Sequence, residues 1–262
     1  MRSRKAISEV EKSGWKFQID GYNALHIKRW SHEINTAGMV TEYKYAADII
    51  SDTDVYNLYV VLDDIVPNAV IMGTNVIEIF LNGDACQASG WHIDKGFKAF
   101  STNSFKKGCN TLTVNIRCEA WSGEPQPLKY GAVLLGRFGV QKDSNDWRIV
   151  PEPEFVKLDF WDQQGYPFYS GQARYSKKLK ISEGGPFIFK LDDMKGTAQL
   201  RIDGKDMGSR LWPPFEWYVR DDISGKDVTV TIVATNTLAN YLGDPCPSGP
   251  SGSLRIYSVV ND

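Results

Sequence analysis

The chain has 262 residues, 42% of them hydrophobic, and its 30 basic and 32 acidic residues leave a formal net charge of −2. No basic cluster exceeds a few residues, so the sequence lacks the electrostatic footprint of a nucleic-acid binder. No apolar run approaches the roughly 20 residues needed to span a bilayer, and no membrane partner is expected.

Residues 1–35 read as an N-terminal extension. Met1-Arg2-Ser3-Arg4-Lys5 is basic, but no apolar segment follows it, so a signal peptide is not expected. A cytoplasmic location and an extracellular one within a longer protein both stay open. Part of Ile7 to Lys12 suits a short helix.

Strands come next. Leu58, Val60 and Leu62 alternate with Tyr59 and Val61, a period of two that predicts a strand with one buried face. Ile77, Ile79 and Leu81 repeat the pattern and run into Asn82-Gly83, which supplies the positive φ angles of a tight hairpin. Leu112, Val114 and Ile116 form a third such set. With Tyr45, Ile49, Leu62-Asp63-Asp64, Trp91 and Gly108-Cys109-Asn110, these landmarks define a first domain at 36–142. Asp143-Ser144-Asn145-Asp146 and Pro151-Glu152-Pro153-Glu154 then read as a polar linker at 143–154.

Beyond the linker the same order recurs. Tyr175 and Leu179 precede Phe187, Phe189 and Leu191-Asp192-Asp193; Ala198, Leu200 and Ile202 run into Asp203-Gly204. Trp212, Gly225-Lys226-Asp227 and the strand Val228, Val230, Ile232 complete the set. In both halves the tryptophan lies eight residues past the turn glycine, and the one large offset is an insertion near Pro67 to Gly73. Self-similarity at this length predicts two copies of one domain, the second at 155–262. Leu62, Ile79, Leu81, Val114, Leu191, Leu200, Ile202 and Val230 should face inward. No long apolar stripe at helical spacing occurs, so the expected class is all-β, two antiparallel β-sandwiches, for which the chain is long enough.

Residues that carry chemistry are sparse. Cys86, Cys109, Cys118 and Cys246 have no CxxC spacing and no histidine cluster beside them, so free thiols are expected and zinc is not. Cys118 is in phase with the apolar positions of its strand and reads as a small core residue. His26, His32 and His92 belong to no catalytic motif, and no catalytic residue is assigned. The paired aspartates read as turn residues that hydrogen-bond nearby amides. No cofactor is expected. A structural calcium ion, which would need about six to eight oxygen ligands, stays open, and no compact Asp-rich loop marks a site for one.

The aromatics are the candidates for binding. A sugar ring offers an apolar face of C–H groups and a rim of hydroxyls, so a site for it combines an exposed ring with polar neighbours. Trp161 with Asp162, Gln163 and Tyr166, and Trp91 with Asp94, have that composition. The competing reading has Trp91 and Trp212 plug the ends of the two sandwiches, and Trp161 and Phe168 fasten the linker to the second one. For Trp91 and Trp212 the plug is the preferred reading.

The stretch Phe160-Trp161-Asp162-Gln163-Gln164-Gly165-Tyr166-Pro167-Phe168-Tyr169-Ser170-Gly171, followed by Ala173-Arg174-Tyr175, resembles a W-x-x-Q-G-x-P-F-Y-x-G-x-x-x-Y signature. That signature belongs to the C-terminal β-sandwich of rhamnosidase-type and related glycoside hydrolases. Asp203-Gly204, Leu211-Trp212-Pro213-Pro214-Phe215 and Asn236-Thr237-Leu238-Ala239-Asn240 resemble later segments of that module. Asn23-Ala24-Leu25, Trp91-His92-Ile93-Asp94 and Leu134-Leu135-Gly136-Arg137-Phe138-Gly139 resemble the module before it. The resemblance implies two tandem jelly-roll sandwiches of the galactose-binding type, which in those enzymes accompany a catalytic barrel absent from this sequence. Arg137 stands where an acidic residue is usual, so no ligand contact is transferred there.

The leading functional expectation is a noncatalytic carbohydrate-binding or accessory module, with a glycan or a catalytic glycoside hydrolase domain as partner. The alternatives are a small carboxylate-dependent glycosidase and a purely structural spacer.

Overall fold

Period-two alternation becomes strand throughout the computed structural model, which describes residues 3–38, 40–63, 76–119, 131–144, 146–243 and 245–260. The insertion near Pro67 to Gly73, Asp64 and Trp121 lie outside the described residues, as do the side chains of Asp63, Asp94 and Cys118.

The strands are β1 (Ser3–Val10), β2 (Trp15–Ile19), β3 (Asn23–Ile27), β4 (Ser31–Ala37), β5 (Val40–Ser51), β6 (Leu58–Asp63), β7 (Val76–Leu81) and β8 (Asp84–Ala85). They continue with β9 (Gln87–His92), β10 (Asp94–Thr102), β11 (Gly108–Glu119), β12 (Ala132–Gly136), β13 (Gly139–Asp143), β14 (Asp146–Val150) and β15 (Phe155–Val156). The last are β16 (Gln172–Lys180), β17 (Phe187–Lys195), β18 (Thr197–Ile202), β19 (Lys205–Arg210), β20 (Glu216–Val219), β21 (Asp227–Thr235) and β22 (Gly249–Val260). Helix among the described residues is limited to single turns, such as Trp161–Gln163 and Ala239–Leu242.

Two compact units emerge: Tyr22–Glu152, and Met1–Gly21 together with Pro153–Asp262. The N-terminal stretch is therefore not an extension, and the boundaries expected at 35/36 and 154/155 are corrected. β1 pairs with β22 and β2 with both β15 and β16, so residues 3–19 supply two strands to the unit that closes the chain. β3 and β4 belong to the other unit. Ile7 accordingly lies in a strand and not in a helix, because the ladder to β22 decides a segment whose own propensity is weak. Trp15, Phe17 and Ile19 did carry the signal, alternating with exposed Lys16 and Gln18. The expected linker is also partly strand: β14 pairs with β13 and, through Ile149, with Ser51 of β5.

In the unit Tyr22–Glu152 one sheet runs β3-β12-β6-β10-β9 and the other β13-β14-β5-β11-β7-β8, with β4 also on β5. In the other unit the orders are β1-β22-β17-β20 and β15-β2-β16-β21-β18-β19. Taken in chain order, β12-β6-β10 corresponds to β22-β17-β20, and β5-β11-β7-β8 to β16-β21-β18-β19. The hairpins match as well. Asn82-Gly83 has φ of 54° and 87°, and Asp203-Gly204 has 48° and 79°. Each turn is tied to the neighbouring strand in the same way: the Thr111 amide donates to Asn82 Oδ1 at 3.0 Å, and the Thr229 amide to Asp203 Oδ1 at 2.7 Å.

All eight residues expected to face inward are buried. In the unit that closes the chain, Phe187, Phe189 and Leu254 from one sheet and Tyr175, Leu200, Val230 and Ile232 from the other share one cluster, the core of a sandwich. Asp192 and Asp193, expected in a turn, lie within β17 where the register shifts. There Asp192 accepts from the Ser253 amide at 3.1 Å and from Arg255 at 2.9 Å. Cys86, Cys109 and Cys246 are free thiols.

Candidate functional site

The segment from Phe160 to Tyr175 is a largely buried knot of rings and hydrogen bonds. Trp161 is 0% exposed and Tyr166 1%, and their rings pack among Phe17, Tyr169 and Tyr175: Phe17 to Tyr166 is 4.9 Å between centroids, Trp161 to Tyr169 5.8 Å. A fully buried indole has no face to offer a sugar. The expected platform at Trp161 and Tyr166 is therefore corrected, and the fastening reading of Trp161 and Phe168 fits their burial. Asp162 is half-buried and accepts from the Ser248 amide at 3.3 Å, while Gln163 is exposed. Burial pushes the Asp162 carboxyl up from its ordinary value.

Each polar position of the signature has a backbone duty. Gln164 accepts from the Lys157 amide at 2.7 Å and donates to the carbonyls of Lys157, Asp159 and Phe160. The Tyr169 hydroxyl lies 2.8 Å from the carbonyl oxygens of both Asp20 and Gln172. Asn236 joins Gly171, Tyr169 and Ser248, and Asn240 joins Pro167, Cys246 and Ser248. Gly249, at φ 95°, passes so close that a Cβ there would sit 2.9 Å from Trp161 Cε3. One flaw remains: the buried Trp161 Nε1 has no acceptor among the described residues.

The exposed aromatics lie elsewhere. Trp91 is 57% exposed on β9, the edge strand of its sheet, opposite Lys98. Trp212, at the matching place between β19 and β20, is 70% exposed, with Leu211 beside it at 60%. The expectation that these two tryptophans plug the sandwiches is thus corrected. Trp212 stays outside the core because Phe215 and Trp217 take the inward positions after it. Next to Trp91, His92 is half-buried and its imidazole is pushed below its ordinary pKa by burial.

Register assembles a further feature that the sequence did not announce. Glu33, Lys44, Asn115 and Glu78 are directly opposite one another across β4, β5, β11 and β7. Two residues along, Asn35, Glu42 and Arg117 form a parallel row. Opposed residues share a face, and Ile116 and Tyr43, one step out of phase, are buried. The two rows line a cavity of about 670 Å³, within the roughly 300–1,000 Å³ usual for small-ligand sites. Arg117 Nε lies 3.8 Å from Glu42 Oε1. Asn115 Oδ1 is buried and has no donor among the described residues. Spread over four strands, these residues carry no sequence motif; only the strand pairing collects them.

Among the described residues no group of three or more His, Cys, Asp or Glu is placed to hold a metal ion. No helix among them is long and apolar enough to cross a membrane.

No protein-family model matches the chain, and no curated protein matches it. Among solved structures, a rhamnosidase from Novosphingobium sp. PP1Y is similar over 92% of this chain and 25% of its own, with 15% identity and a TM-score of 0.36. The Streptomyces avermitilis α-L-rhamnosidase complexed with L-rhamnose covers 97% of this chain and 28% of its own, at 9% identity and a TM-score of 0.35. The lectin of Pleurotus ostreatus in its apo form covers 98% and 81%, at 12% identity and a TM-score of 0.26. The chain thus spans about a quarter of the length of the rhamnosidases, and its structural neighbours include members of the enzyme class whose motifs it resembles.

Proposed function

We propose that this chain is a noncatalytic carbohydrate-binding or accessory module built from two jelly-roll sandwiches, with Trp91 as a stacking platform. The observation that carries the reading is the exposure of Trp91, 57% on an edge strand. A large apolar ring in water is a standing cost that a flat apolar partner relieves, and the face of a pyranose ring is such a partner. Trp212 is exposed at the corresponding place and is a candidate second platform. A glycan, or the catalytic domain of a glycoside hydrolase, is the partner this reading assigns.

The three glutamates of the groove favour one alternative, a carboxylate-dependent glycosidase. Glu33 and Glu42 are diagonal neighbours on adjacent strands, with backbones roughly 7–8 Å apart, so their carboxyl groups are within reach of one small ligand. Both project from one sheet face, however, whereas an inverting pair flanks the sugar from opposite sides. Glu42 also lies beside Arg117. The noncatalytic reading is therefore preferred.

A glycan array probed with the whole chain, with hydrolysis assays on the same glycans, tests this. Binding that Trp91→Ala abolishes without moving the melting midpoint is the expected result. Binding that survives the combined Trp91→Ala and Trp212→Ala change refutes the platform, hydrolysis of a bound glycan supports the enzyme, and silence in both assays leaves a structural spacer.

A further inference from the structure

We propose that β4 is a self-association edge: two copies of this chain pair antiparallel through Ser31–Ala37, centred on Ile34, and join their sheets into one. The treatment of the sheet edges gives the first reason. An unpaired edge offers a row of N–H and C=O groups to any other strand, and natural sheets blunt it with short strands, bulges, lysines or a cover. The other edges of this chain follow that rule. β8 and β15 have two residues and β20 four; β1, β9 and β19 carry register shifts; β13 carries Lys142, and β3 is largely buried. β4 has none of these devices. It runs seven residues in unbroken register against β5, its one partner among the described residues; all seven are exposed, and it contains no lysine, arginine or proline.

Self-complementarity gives the second reason and names the occupant. His32, Ile34 and Thr36 share the face of Tyr43, the core side of the sheet. Ile34 lies directly opposite Tyr43, which is 5% exposed, yet Ile34 itself is 57% exposed. An antiparallel partner centred on Ile34 sets this side chain against its own copy and carries the apolar strip across the junction, with His32 facing Thr36 of the second copy. On the other face Glu33 meets Asn35 of the second copy. The row Glu78, Asn115, Lys44, Glu33 then runs on into Asn35, Glu42 and Arg117 of the second copy, and no like charges are directly opposed across the junction. Centring the pair on Glu33 would set two carboxylates face to face, which is destabilising; centring it on Asn35 would pair fewer residues. Seven residues of strand span roughly 23 Å, a small interface of the weak, transient class. This edge stands apart from the Trp91 platform, since Trp91 belongs to the other sheet of its unit.

The test is sedimentation equilibrium of the full chain from about 10 µM to about 1 mM, the affinities of weak pairs. A monomer–dimer equilibrium should appear, and Ile34→Lys should weaken it at least about tenfold by placing two ammonium groups opposite each other. Asn35→Glu, which faces Glu33 of the second copy, should weaken the dimer several-fold, and Asn35→Lys should tighten it; a loss of fold could not produce changes of opposite sign. Added salt should shrink the difference between these two variants. Melting midpoints of the dilute variants should match the parent, because all these side chains are exposed. With the exposed Cys109 changed to serine, Ile34→Cys should give a disulfide-linked dimer on oxidation, since directly opposed residues meet, and Glu33→Cys should not. Trp91→Ala should leave association as it was, which separates failure here from failure of the platform. A chain that stays monomeric at about 1 mM, a dimer that Ile34→Lys leaves intact, or Asn35 variants that shift it in the same direction would each overturn the proposal.

Discussion

Replacing Trp161 by alanine separates the two meanings of the signature segment. Its indole is 0% exposed, contacts the Tyr169 ring edge-on at 5.8 Å, and sits against the backbone of Gly249. Truncating a buried tryptophan costs roughly 3–5 kcal/mol in lost transfer energy and residual cavity. Loss of the indole N–H that lacks an acceptor returns part of this, so the lower half of the range is expected. For a unit of this size 1 kcal/mol corresponds to about 4 °C, giving a fall in the melting midpoint of roughly 12–16 °C. Calorimetry of the full chain reads it, and a glycan-binding assay at low temperature should show no loss. Trp161→Phe, which keeps most of the volume and removes the orphaned donor, should fall by much less. A midpoint within about 3 °C of the parent for Trp161→Ala, combined with lost glycan binding, would refute the structural reading of the signature.

Gln164→Ala removes one acceptor and three donor contacts to the backbone and should cost about 2–4 kcal/mol in urea denaturation, more than an average surface change. Asp162→Asn should stabilise the chain at pH 7 and not at pH 3. Its carboxyl titrates above the ordinary value when folded, so the folded state favours the protonated form and loses that advantage as pH rises through the folded pKa; a melting midpoint equal to the parent's at both pH values would contradict this. Leu200→Asp and Ile79→Asp should each unfold their own unit, because an unpaired buried charge costs several kcal/mol, comparable with a unit's whole stability; near-ultraviolet dichroism distinguishes them. Asp203→Ala should cost about 1 kcal/mol through the lost bond to the Thr229 amide, and Asn82→Ala a similar amount at Thr111.

What the sequence determined by itself was the local and the repeated. A period of two places every second side chain on one face whatever the tertiary partner, so Leu62, Ile79, Leu200 and Val230 were readable as core, and Asn82-Gly83 and Asp203-Gly204 as hairpins. Three things were decided only by the tertiary structure. The first is which strands pair: Trp15, Phe17 and Ile19 alternate as a strand should, yet nothing local tells that β2 inserts between β15 and β16, more than 130 residues away. The second is exposure of the tryptophans. Trp161 and Trp91 have similar polar neighbours in sequence, but one is fully buried against Tyr169 and the backbone of Gly249 while the other lies on a sheet edge. The third is the groove, since Glu33, Lys44, Asn115 and Glu78 become one row through interstrand hydrogen bonding, and the side chains of a row meet only after four separate segments have found their register.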